Sequence, residues 1–205
     1  RCFLHIINLA CQAVLEAITD TPHIEYDAAD FIPKGPTPRS FTDAINRDPI
    51  STLRSLIHYF ASVLRMMGQS NLQLIRDVKT RCDPKHLWVI PQHLNPCSQF
   101  LESSDNEDMH KFRLNDIEWE ALEAFHLILQ VPHAFQQVLS YESTPTLGHT
   151  VPAYEAMENA WKQLQAQNTQ LSGIIQCGLG KLDQYRTRAD RVPAYVLAMG
   201  KIAIA

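Results

Sequence analysis

No segment of this 205-residue chain convincingly alternates apolar and polar residues with the period of a half-buried strand. A sheet-dominated fold is therefore not expected. The cysteines Cys2, Cys11, Cys82, Cys97 and Cys177 are odd in number and form no Cys-x-x-Cys pair. That excludes a disulfide scaffold and a four-cysteine zinc framework, and points to free thiols in a reducing compartment. No apolar run reaches the roughly 18 residues needed to span a bilayer, so no membrane partner is expected. The N-terminal apolar run reads as an amphipathic helix without a small-residue cleavage site, so secretion is not expected either. Positive charge is not in excess: the formal net charge is −4. A strong electrostatic binder of nucleic acid is usually basic, so any DNA contact must come from a local patch. No nucleophile–base pair is visible, and no small-molecule substrate suggests itself.

What is present is helical patterning. Phe3, Ile7, Ala10, Val14 and Ile18 recur at helical spacing on one side of the first segment, and His5, Asn8, Gln12 and Glu16 on another. Asp20-Thr21-Pro22 ends that helix. Residues 20–48, with Pro22, Pro33, Pro36 and Pro38, read as an irregular connection. Asp48 is a good N-cap and Pro49 suits the first helical position. Ile50, Leu53, Ile57, Phe60, Leu64 and Met67 form the apolar stripe that follows, with Gly68 as the stop. Residues 69–80 read as a short helix or an extended arm, and Arg81-Cys82-Asp83-Pro84 as a turn. Pro91 and Pro96 forbid one straight helix over 85–100. Residues 102–110 read as an acidic surface loop.

Asn115 and Glu118 make a capping box, with Leu114 and Trp119 placed as its hydrophobic staple. The helix they open meets Pro132, which lacks the amide that would bond to Ile128, so a kink or a break is expected. Thr144-Pro145 starts the next helix, with Leu147, Val151, Tyr154, Met157, Trp161 and Leu164 inward. Leu171, Ile174, Ile175, Leu179, Leu182 and Tyr185 form another buried face, with Gly178-Leu179-Gly180-Lys181 as a bend. That tetrapeptide superficially resembles a phosphate loop but lacks its spacing and a preceding strand. A basic turn, Arg186 to Arg191, leads to a final apolar helix. The fold class expected is mostly α, a helical bundle. It divides into an N-terminal helix over 1–19, an irregular linker over 20–48 and a bundle over 49–205.

Separated blocks, in order, resemble transposases of the hAT superfamily. They are Arg1-Cys2-Phe3-Leu4-His5 with Asn8-Leu9; Asp48-Pro49-Ile50-Ser51-Thr52-Leu53-Arg54; Asp77-Val78-Lys79-Thr80-Arg81; and Leu114-Asn115-Asp116-Ile117-Glu118-Trp119 continuing into Leu129-Gln130-Val131-Pro132-His133-Ala134-Phe135. Thr144-Pro145-Thr146-Leu147, then Leu179-Gly180-Lys181-Leu182 and Pro193-Ala194-Tyr195 complete the series. Together they span nearly the whole chain. The resemblance implies an RNase H-like catalytic core that holds divalent metal, such as magnesium, on two Asp and one Glu, interrupted by a helical insertion. The sequence matches the Cys-x-x-His segment and the insertion, so the expectation is a fragment without the catalytic acids. No catalytic residue, metal ligand or cofactor is assigned within it. The family's Thr-Arg is followed by tryptophan; here that position is Cys82, which cannot stack on a base. Residues 85–100 and the last six residues also depart from the family pattern.

The resemblance places Cys2, His5 and Asn8 in the family motif and Lys79 and Arg81 near DNA, and implies a nuclear location. Cys2 and His5, three apart, share a helix face, as zinc or DNA-end contacts or as a packed polar pair. Lys181, Arg186, Arg188 and Arg191 are the best basic cluster by sequence, either a phosphate contact or a solvated turn paired with the acidic stretch Glu102–Glu123. Glu120 and Glu123 face solvent by period, and Glu118 has its capping role. The expected partners are DNA or a second copy of the chain. The alternative is an unrelated helical module that binds another protein.

Overall fold

The computed structural model describes residues 3–19, 31–33, 35–66, 110–139 and 150–189. It is mostly helical, with no strand among the described residues. The helices are α1 (Phe3–Ile18), α2 (Phe41–Asn46), α3 (Pro49–Met66), α4 (Asp116–Leu139), α5 (Thr150–Gln167) and α6 (Ser172–Ala189), with a 3-10 turn at Thr169–Leu171 before α6. The stop at Gly68, the segments expected between 69 and 109, the Thr144-Pro145 start, Leu147, Arg191 and the final helix lie outside the described residues. The chain forms two compact units. One comprises residues 1–17 and 127–205, the other residues 18–126.

The first unit is built on apolar faces. Ile7, Ala10, Val14, Tyr154, Met157, Trp161, Ile175 and Leu182 are buried in it, at the positions that helical spacing assigns to the inward side. Apart from Phe3, whose side chain lies outside the described residues, the faces expected of α1 and α6 are thus observed, and α5 and α6 pack against each other.

Trp161 is the hub. Its indole is fully buried, and a Cβ built on Gly178 would lie 2.6 Å from the indole Cζ3 and 2.7 Å from Val14 Cγ2. Real Cβ atoms do not approach so closely, so only glycine lets α6 come this near Trp161 and Val14. The bend expected at Gly178–Lys181 is absent: α6 is continuous through it. The glycine serves close approach rather than a change of direction.

Of the kink or break expected at Pro132, the break is absent. Helix α4 runs through it from Asp116 to Leu139. Pro132 has no amide to offer the Ile128 carbonyl four residues earlier. The Trp161 Nε1–H donates to that oxygen instead, at 2.8 Å. A buried carbonyl without a donor would cost on the order of 1–3 kcal/mol. The substitute therefore lets the helix continue, as inserted partners do in other proline-containing helices.

The second unit keeps polar groups inside. Thr19, Asp48, Ser51, Thr52, Arg54, Ser55 and Glu118 are buried, and all belong to this unit. Its apolar core includes Ile50, Leu53, Leu56, Phe112, Leu122 and Phe125, with Phe31 and Tyr59 packed against Leu56 and Phe112. The segment 20–48, expected to be irregular, contains α2. Ser40 caps it, its hydroxyl accepting from the Asp43 amide at 3.2 Å. Six residues are too few to show a helical period, so the sequence pattern does not reveal this helix. Helix α3 also differs from its expected stripe: its start is buried on every side, including Ser51, Thr52, Arg54 and Ser55.

Candidate functional site

The junction between α2 and α3 is the most concentrated polar site in the described residues. Asp48 is the residue after the C-cap of α2 and the N-cap of α3 at once. Its φ is +58°, the left-handed conformation that usually favours glycine at the end of a helix and that Asp tolerates better than most residues. Glycine would ease the backbone there but has no side chain to cap α3. Asp48 Oδ1 accepts from the Ser51 amide at 2.9 Å. Its Oδ2 accepts from the Ser51 hydroxyl at 2.8 Å and from the Thr19 hydroxyl at 2.7 Å. Asp48 thus ties the residue following α1 to the first turn of α3.

Its neighbour Arg47 reaches elsewhere. Arg47 Nη1 donates to Glu118 Oε1 at 2.7 Å, and Nη2 to the Lys111 carbonyl at 3.3 Å. Glu118 is fully buried. Its other oxygen accepts from the Asn115 amide at 2.8 Å, while Asn115 Oδ1 accepts from the Glu118 amide at 2.9 Å. This is the reciprocal capping box read from the sequence, joined by an arginine that no local pattern announces. Asn115 Nδ2 also donates to the Pro38 carbonyl at 2.8 Å. The buried carboxylate therefore has donors on both oxygens, which offsets the large cost of taking it out of water.

Of the residues singled out for DNA contact, only Lys181 and Arg186 have described side chains. Arg186 on α6 is exposed but engaged, donating to Glu158 at 3.0 Å and to Glu155 at 3.4 Å, both on α5. The acidic partners it has among the described residues are thus on the adjacent helix. Lys181 is half-buried on the same helix. At about 100° per residue, Arg186 lies roughly 140° round the axis from Lys181, so the two do not share a face. Arg188 is within α6 but its side chain lies outside the described residues, as do Lys79, Arg81 and Arg191 altogether.

Of the Cys-x-x-His segment, His5 is exposed on α1 and Asn8 is half-buried one turn on; Cys2 lies outside the described residues. Glu120 and Glu123 are exposed, as their period requires. His126, on α4, has its pKa lowered by burial, with Glu123 opposing the shift. Cys11 is buried and Cys177 exposed, and neither is in a disulfide. Among the described residues no three His, Cys, Asp or Glu side chains group closely enough to hold a metal ion. No helix among them is long and apolar enough to cross a membrane.

Three of the residues at the α2–α3 junction escape sequence reading. Arg47 stands 71 positions from Glu118, and Thr19 29 positions from Asp48, so neither pairing leaves a local pattern. Arg54, only 5% exposed, looks like an ordinary surface charge on an amphipathic helix. No family model matches the chain, and no curated protein or solved structure does.

Proposed function

We propose that this chain is the helical-insertion part of a hAT-type transposase, a scaffold without cleavage chemistry of its own that contacts DNA or a second copy of itself. The observation that carries the reading is the ordered series of sequence blocks spanning nearly the whole chain. Two of those blocks supply the residues on which the second unit turns, Asp48 with Ser51 and Asn115 with Glu118. A block that contains helix-starting residues is one whose loss would disturb the scaffold, which gives its resemblance a physical basis.

DNA contact on this reading falls to Lys79 and Arg81, in the block that the family places near DNA, rather than to Arg186, which already holds two carboxylates. In the whole family protein, strand cleavage is metal-dependent and uses an activated water; the motif assigns none of the present carboxylates to that task. A nuclear location follows from the same resemblance.

The test is fluorescence anisotropy of a labelled short duplex titrated with the protein at several salt concentrations. Binding that weakens steeply with salt is expected. Lys79→Gln with Arg81→Gln is expected to abolish most of it, while Lys181→Gln leaves it nearly intact. Undetectable binding at low salt would overturn DNA contact and favour a protein-binding helical module.

A further inference from the structure

We infer that the dipeptide Arg47-Asp48 is a conformational relay: it couples Thr19, after α1, to the Asn115–Glu118 cap of α4, although Thr19 and Glu118 share no bond. Two clasps leave adjacent residues in different directions. Asp48 holds Thr19 and Ser51. Arg47 holds Glu118 and the Lys111 carbonyl. Between them lies a left-handed backbone turn that is costly for most L-residues and less so for aspartate, the +58° φ of Asp48.

That turn is what makes the clasps interdependent. The Asp48 carboxylate keeps the left-handed conformation in place through three donors, the Ser51 amide, the Ser51 hydroxyl and the Thr19 hydroxyl. The same conformation aims the preceding residue, Arg47, at Glu118. Backbone bonds stiffen the link on both sides: the Arg47 amide donates to the Asp43 carbonyl at 3.0 Å, and the Thr52 amide to the Asp48 carbonyl at 3.1 Å. If a donor to Asp48 is lost, the strained turn relaxes towards ordinary φ values and Arg47 is carried off its 2.7 Å contact. If Glu118 is lost, Arg47 no longer resists that relaxation. Two clasps that hold the same turn are coupled through it.

The relay is tested on the full chain with Thr19→Val, which keeps the shape and removes the hydroxyl, and Glu118→Gln. Unfolding equilibrium constants are measured for both variants and for the double variant. Once one clasp is open the other is already weakened. The double variant is therefore expected to be at least about twofold more stable than the product of the single effects gives. Agreement with that product to within about twofold would overturn the relay. A second reading does not depend on the double variant folding. In Thr19→Val, local hydrogen exchange at the Glu118 amide, which Thr19 does not touch, is expected to speed up. Faster exchange confined to the first turn of α3 would sink the proposal.

Discussion

The two units solve the same problem by opposite means. The unit of residues 1–17 and 127–205 has an apolar interior in which the backbone defect at Pro132 is met by the Trp161 indole. The unit of residues 18–126 keeps a buried aspartate, a buried glutamate and an arginine, and gives each carboxylate its donors. Close fit decides the first unit, since Gly178 admits no side chain beside Trp161 and Val14. Matched charge and hydrogen bonding decide the second. Apolar packing is tolerant of salt and pH, whereas a buried carboxylate deprived of its partner is heavily penalised. The contrast therefore has measurable consequences.

The largest effect is expected in the polar unit. Glu118→Ala leaves Arg47 without its carboxylate and removes half of the α4 cap, and should cost about 3–5 kcal/mol in chemical denaturation. A change below about 1 kcal/mol would mean that this unit, too, stands on its apolar residues, and the contrast would collapse. Gly178→Val comes next. It drives carbon into the Trp161 ring, and a loss of about 2–3 kcal/mol is expected from overpacking; a stabilised variant, as helix propensity alone would give, would show that the close fit is loose.

Trp161→Phe sharpens the comparison, because it asks whether the apolar unit hides one polar dependence. In the natural background it should cost about 1–2 kcal/mol beyond its packing loss, by stranding the Ile128 carbonyl. In a Pro132→Ala background the backbone amide restored at that position meets the Ile128 oxygen, so the extra cost should disappear. Equal costs in both backgrounds would show that the indole is not the substitute donor.

The smallest effect is in the pH dependence of His126. Burial lowers its folded-state pKa below the ordinary 6.5, so the unfolded chain binds its proton more readily than the folded one. The stability associated with neutral His126 is complete above 6.5 and is lost as pH falls from there through the folded pKa. His126→Gln should flatten the stability profile across that window, measured by thermal unfolding at stepped pH. An unchanged slope would place the titrating group elsewhere.

What could be read from the chain was local. Asn115 and Glu118 stand three apart and announce their cap; Asp48-Pro49 announces the start of α3; the inward residues of α1 and α6 recur at helical spacing. What could not be read was settled by partners far along the chain. Pro132 looks like a break because its rescuer, Trp161, is 33 positions from Ile128. Gly178 looks like a bend because the ring it accommodates belongs to another helix. Arg47 and Thr19 look unremarkable because their carboxylates are distant in sequence. Within the basic cluster, sequence proximity hides the rotation between Lys181 and Arg186 round α6, and the carboxylates that hold Arg186 come from α5.

The proposed role is tested most directly by one gel. Supercoiled plasmid is incubated with the purified protein at low and high salt, with magnesium or manganese present. A mobility shift at low salt that disappears at high salt, with the plasmid still supercoiled, is the expected result for a DNA-contacting scaffold without cleavage chemistry. Nicked or linear plasmid whose formation requires the metal would contradict it.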